Sequence, residues 1–177
     1  MVSMPANPNP ADPTAHRLNL LLSYAGWRSQ SWAEQLPQLL EPMGIASFRV
    51  QSGREASEVI QRRRMHIAVV DLGLPIDDQS AAAAPGHPGE TGGTRLLQIL
   101  RRLDAPPPTI VIRRPVDKAA GNERTLHEAL REGAFTVLDV PVQLEHMLEL
   151  MRRILRRCYS DTWPAGWPPG PDPGTQS

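Results

Sequence analysis

The chain has 177 residues, enough for one domain with a sizeable core plus tails. Its 19 basic and 19 acidic residues balance, which gives no argument for a nucleic-acid or membrane-surface partner. No apolar run approaches the roughly 18 residues of a membrane span, and the single Cys158 excludes an internal disulfide or a multi-cysteine metal site.

Residues 1–16 carry four prolines and little apolar surface, and read as a disordered N-terminal segment without the pattern of a signal peptide. Leu20 to Leu22 is a candidate first strand. A helix from about Ser29 to Met43 follows, with a break or kink expected at Pro37. Ser47 to Val50 is a weak second strand. Gly53 opens a helix whose Ala56, Val59 and Ile60 share one face. Ile67 to Val70 is a short, wholly apolar run, as expected of a strand buried on both sides in a parallel sheet, and Asp71 ends it. Residues 76–93, with the run AAAAPGHPGETGG, read as a long loop inside the domain. Leu96, Leu97, Leu100 and Leu103 mark the next helix, and Thr109 to Ile112 the fourth strand. Leu126, Ala129 and Leu130 mark a helix that Asn122 could cap and Gly133 could end. Phe135 to Leu138 is the fifth strand. Leu144, Met147, Leu148, Met151 and Leu155 line the last helix at helical spacing. Residues 160–177 hold five prolines and three glycines and read as a disordered tail. Alternating strands and helices imply a parallel sheet with helices on both faces.

An aspartate at the carboxyl end of a central strand stands where open α/β sheets place their chemistry. The segments SGREASEVIQRRRMHIAVVDLGLP, GGTRLLQILRRLDAPPPTIVI and ALREGAFTVLDVPVQLEHMLELMRRIL, in this order and spacing, resemble the receiver domain of response regulators. The resemblance covers roughly residues 17 to 158 and assigns residues 17–159 to a receiver-like domain. It implies a flavodoxin-like, doubly wound sheet of five parallel strands in the order 2-1-3-4-5. It also implies a place in a two-component phosphorelay, with a histidine kinase or an output protein as partner; a cytoplasmic location is the default expectation from the composition.

In that family, an acidic pair after the first strand holds a divalent cation and the central aspartate accepts the phosphoryl group. A hydroxyl after the fourth strand and a lysine after the fifth bind the phosphoryl oxygens. Positive charge is needed because a carboxylate attacking an anionic phosphoryl group meets repulsion. Asp71 matches the phosphoacceptor, and Gly73 the residue whose carbonyl helps hold the metal. Ser23 and Tyr24 stand in place of the acidic pair, Arg113 in place of the hydroxyl, and Val140, before Pro141, in place of the lysine.

The expectation is a degenerate receiver that is not an enzyme, has no cofactor and acts by protein–protein contact. The fourth helix, fifth strand and fifth helix form the family's partner and dimer surface, so a homodimer is one option. Magnesium enters only if the site is functional, with Asp77 or Asp78 as substitute ligands; the bland reading is two solvated loop residues. Two alternatives remain: a conventional receiver phosphorylated at Asp71, and a small-ligand-binding or enzymatic protein on the same architecture. Asp71 could also simply cap the following turn. Arg113 and Arg114 are either solvated or one of them pairs with Asp71 or with a bound anion. Arg62 to Arg64 and Arg152, Arg153, Arg156 and Arg157 read as solvated helix faces, not a nucleic-acid surface. Trp163 and Trp167 in the tail could dock on another protein or fold back on the domain. The histidines, His16, His66, His87, His127 and His146, show no metal-ligand spacing. No output domain follows in this sequence, so output is expected through a partner.

Overall fold

The computed structural model describes residues 18–23, 32–77, 91–113, 130–131 and 133–159. They form a five-stranded sheet in which every pairing is parallel, in the order β2-β1-β3-β4-β5. The strands are β1 (Leu18–Ser23), β2 (Ile45–Val50), β3 (Ile67–Asp71), β4 (Thr109–Arg113) and β5 (Thr136–Asp139). The helices are α1 (Trp32–Leu40), α2 (Gly53–Arg62), α3 (Gly92–Arg101) and α4 (Leu144–Cys158). This is the expected doubly wound sheet. The helix expected around Leu126 falls outside the described residues except at its end, where the Gly133 N–H bonds Leu130 O and Gly133 takes a positive φ of 83°. Residues 1–17 and 160–177 also lie outside the described residues, as does most of the 76–93 segment.

Position in the sheet explains the strand sequences. β3 is central, and all five of its residues are buried. β2 and β5 are edge strands, half-buried and correspondingly mixed in composition. Side chains alternate between two apolar layers. Leu20, Leu22, Ile67, Val69, Ile110 and Ile112 face α1 and α4; Leu21, Ala68, Val70 and Val111 face α2 and α3. Fully burying such a side chain contributes about 1.5–3 kcal/mol.

Helix boundaries depart from the sequence reading in two places. α1 runs through Pro37 without a break. Pro37 costs one hydrogen bond, to the carbonyl of Ala33, while Trp32, Ala33, Leu36 and Leu40 are buried against β1 and β2. The chain instead leaves the α-helix at Glu41–Met43, a 3-10 turn with Pro42 in it, closed by Gly44 at φ 77°. Second, Gly92 and Gly93 do not belong to the preceding loop. They form the first turn of α3, capped by Thr91 Oγ1, which accepts from the Thr94 N–H at 3.2 Å. α2 starts on a capping arrangement: Ser52 Oγ accepts from the Glu55 N–H, and Glu55 Oε2 accepts from the Gln51 N–H at 2.7 Å. In α4 the buried stripe is Met147, Leu150, Met151, Ile154 and Leu155; Leu144 and Leu148 sit at its margin.

Candidate functional site at the carboxyl edge of the sheet

β1, β3, β4 and β5 end together at Ser23, Asp71, Arg113 and Asp139. The parallel ladders place Asp71 opposite Ile112 and Arg113 opposite Asp139. Asp71 is 1 % exposed and Ser23 is fully buried.

The Asp71 backbone starts a tight turn. Its carbonyl accepts from the Leu74 N–H at 3.1 Å, and its side-chain Oδ1 accepts from the Gly73 N–H at 2.8 Å. That is an Asx turn, a short-range use of the carboxylate that suits aspartate. Asp71 therefore caps its turn, whatever else it does. Gly73 itself is exposed.

The loop after Asp71 is pinned between two helix starts. The Gly53 and Arg54 N–H groups, unpaired within α2, donate to Pro75 O and Ile76 O at 2.9 Å each. From the other side α3 presses its two glycines onto the loop. A Cβ on Gly92 would fall 2.2 Å from Pro75 O, and one on Gly93 would fall 2.2 Å from Asp71 O. Only glycine allows that approach, because the atoms met are backbone. The sequence reading placed the pair in the loop; the backbone they meet, 22 residues before Gly93 at Asp71 and 17 before Gly92 at Pro75, has no local signal.

The altered family positions that are described, Ser23, Arg113 and Val140, are engaged within the fold. Ser23 Oγ donates to Val69 O at 3.0 Å and accepts from the Asp71 N–H at 2.8 Å. It extends the β1–β3 ladder past its last register pair, Leu22 with Val69. The Arg113 guanidinium grips Asp139 through two nitrogens: Nε to Oδ1, and a second amino group to Oδ2 at 3.3 Å. Of the two arginines expected to be solvated or to pair with Asp71, Arg114 lies outside the described residues and Arg113 thus pairs with Asp139. The ladder explains this, since it sets Arg113 and Asp139 level on neighbouring strands. Opposite charges at two strand ends were the available signal. Val140 continues β5, its N–H bonding Arg113 O at 3.1 Å, and its side chain packs on the layer facing α1 and α4. The Val140–Pro141 peptide is cis. Asp77 is half-buried in the loop after Asp71. Tyr24, Asp78 and Arg114 lie outside the described residues, as do Trp163, Trp167, His16, His87 and His127.

Among the described residues no group of three or more His, Cys, Asp or Glu side chains gathers to hold a metal. Magnesium demands near-octahedral oxygen ligation. Here Asp71 Oδ1 accepts a backbone N–H, and the Ser23 hydroxyl, a neutral group, is bonded to the sheet.

The sheet order and the placement of Asp71 decide the architecture. The fold is that of a response-regulator receiver domain. The signal receiver domain of a protein named as a LuxO repressor, from Vibrio parahaemolyticus, superposes with a TM-score of 0.57 at 22 % identity, over 80 % of this chain and 92 % of that one. A two-component response regulator from Clostridium difficile matches with a TM-score of 0.58 at 18 % identity, over 80 % of this chain and 98 % of that one. The receiver domain of NtrX from Brucella abortus matches with a TM-score of 0.55 at 18 % identity, over 77 % of this chain and 98 % of that one. No protein-family model matches the sequence, and no curated protein does.

At the opposite edge of the sheet lies a second polar cluster that the sequence did not announce. His66 Nδ1 accepts from the Asn19 N–H at 3.0 Å, and Asn19 Nδ2 donates to Arg64 O at 2.8 Å. Tyr159, just after α4, donates its hydroxyl to His66 O at 2.6 Å and sets its ring edge-on to the imidazole. Burial, and then the nearby Arg64 charge, hold the His66 pKa below its usual value. Burial likewise raises that of Tyr159, with the neighbouring Cys158 adding to it.

Proposed function

We propose that this chain is a receiver-like signalling module that works by protein–protein contact and does not use phosphorylation of Asp71 as its switch. The observation that carries the reading is Ser23. Where the receiver pattern has metal-binding acid, this chain has a hydroxyl whose hydrogen bonds join β1 to β3. The other two changes agree with it. Arg113 is held by Asp139, and Val140 turns an apolar side chain into the core. A phosphoryl group arriving at Asp71 would meet a carboxylate whose Oδ1 is already engaged by the Gly73 N–H.

The module is non-enzymatic, and its output passes to a protein partner: a histidine kinase, an output protein or a second copy. The surface on offer is that of β5 and α4. Among the described residues no helix is long and apolar enough to cross a membrane.

The test is incubation with acetyl phosphate and magnesium, read by intact mass. The reading expects no phosphate adduct on the wild-type chain and unchanged partner binding in Asp71→Asn. A magnesium-dependent adduct that disappears in Asp71→Asn would overturn it and establish a conventional phosphoacceptor.

A further inference from the structure

A shallow groove of about 390 Å³ lies at the amino edge of the sheet, between the end of α2 and the end of α3, lined by Ile60, Arg62, Arg64, Met65, Leu103 and Asp104 among others. Its apolar lining is the half-buried Ile60 and Leu103 with the buried Met65. Its rim is strongly basic, with Arg62, Arg63 and Arg64 in sequence, all exposed, against the single acid Asp104. One basic side chain would suffice to complement the last turn of α2. Three, beside apolar lining, make a surface suited to an acidic segment with apolar or aromatic side chains. Arg63 already lies 5.1 Å from the Phe48 ring centroid, the stacking geometry a guanidinium offers an aromatic face.

The polar cluster at His66 ties this groove to the root of the C-terminal segment. Arg64 O is fixed by Asn19, and Tyr159 is fixed on His66 O, one residue beyond Met65. The chain beyond Tyr159 reads SDTWPAGWPPGPDPGTQS. It carries Asp161 and Asp172 and no lysine or arginine, so its charge complements the rim. Trp163 and Trp167 supply aromatic faces for the arginines and the apolar lining. Five prolines favour an extended polyproline conformation of about 3.1 Å per residue. On that scale the chain allows Trp163 a reach of roughly 12 Å from Tyr159 and Trp167 roughly 25 Å.

We infer that the groove between the ends of α2 and α3 is the docking site for this chain's own 160–177 segment, with Trp163 and Trp167 seated among Ile60, Leu103 and the arginines. The inference is independent of whether Asp71 accepts phosphate.

The test is heteronuclear NMR on the full chain. The indole signals of Trp163 and Trp167 are assigned through Trp163→Phe and Trp167→Phe and so separated from Trp27 and Trp32. Docking predicts contacts between these indoles and the methyl groups of Ile60 and Leu103. The combined Arg62→Glu, Arg64→Glu variant should lose them, and adding Asp161→Arg and Asp172→Arg should restore them. Because the reversed arginines are exposed, amide shifts around Asp71 should stay put in both variants. Indoles at free-peptide shifts that ignore the charge reversal would overturn the inference. So would contacts that vanish on dilution, which would assign the groove to the tail of a second copy.

Discussion

Removing the Ser23 hydroxyl is the sharpest perturbation of the site. Its oxygen is fully buried and is the acceptor for the Asp71 N–H at 2.8 Å, at the point where the β1–β3 ladder ends. In Ser23→Ala that N–H stays buried without this acceptor, and an unsatisfied buried donor costs about 1–3 kcal/mol. The loss at Val69 O is smaller, because a carbonyl has two lone pairs and gives up only one of its donors. The methyl group that replaces the hydroxymethyl leaves almost no cavity, so the hydrogen bond dominates. For a chain of this size 1 kcal/mol shifts Tm by about 2–4 °C, which puts the expected fall at roughly 2–12 °C. Urea unfolding supplies the free energy, and amide exchange at Asp71, which should quicken, locates it. An unchanged urea midpoint with full protection of the Asp71 amide would refute the account of Ser23 as the clip between β1 and β3, and with it the main argument against metal binding there.

Gly93→Ala should destabilise by at least about 2–3 kcal/mol in urea unfolding, since its Cβ would meet Asp71 O at 2.2 Å and the Leu72 Cα at 2.7 Å, both backbone. A double-mutant cycle on Arg113→Ala and Asp139→Ala should give a coupling of only about 0.5–1 kcal/mol, shrinking with salt, because the Asp139 side chain is 52 % exposed. His66 makes stability pH-dependent with a definite sign. Its folded pKa lies below 6.5, so at mildly acid pH the unfolded chain binds the extra proton. Stability should be full above 6.5, decline as pH falls from there through the lowered folded pKa, and level off beneath it; that contribution should vanish in His66→Ala, and an NMR titration should place the imidazole below 6.5.

Much of the architecture could be read from local pattern. The wholly apolar Ile67–Val70 run required a strand buried on both faces, and β3 is central. The 3.6-residue spacing of Leu96, Leu97 and Leu100 and of Met147, Met151 and Leu155 required helices with one buried face, and both are there. Periodicity carries this information because burial of a face is decided within a few residues of chain. Local signals misled at Pro37, where a local cost is outweighed by the apolar layer behind the helix, and at Gly92 and Gly93, whose loop-like composition hides the first turn of α3.

The site was a different matter. Its residues could be named from the resemblance, yet what each one does depends on partners far along the chain. Ser23 and Asp71 are joined across 48 positions, Arg113 and Asp139 across 26, and Tyr159 and His66 across 93. No local propensity encodes such a partner. It is set by which strand ends the sheet brings level, and by the requirement that a buried donor or acceptor find a mate once water is excluded. The amino-acid sequence by itself determined the alternation of elements, the apolar layers and the presence of Asp71 at a strand's end. The tertiary structure decided that Ser23 serves the sheet, that Arg113 answers Asp139, and that Gly92 and Gly93 close the floor under Asp71, because hydrogen-bond geometry and close backbone contact exist only after the strands and helices have met.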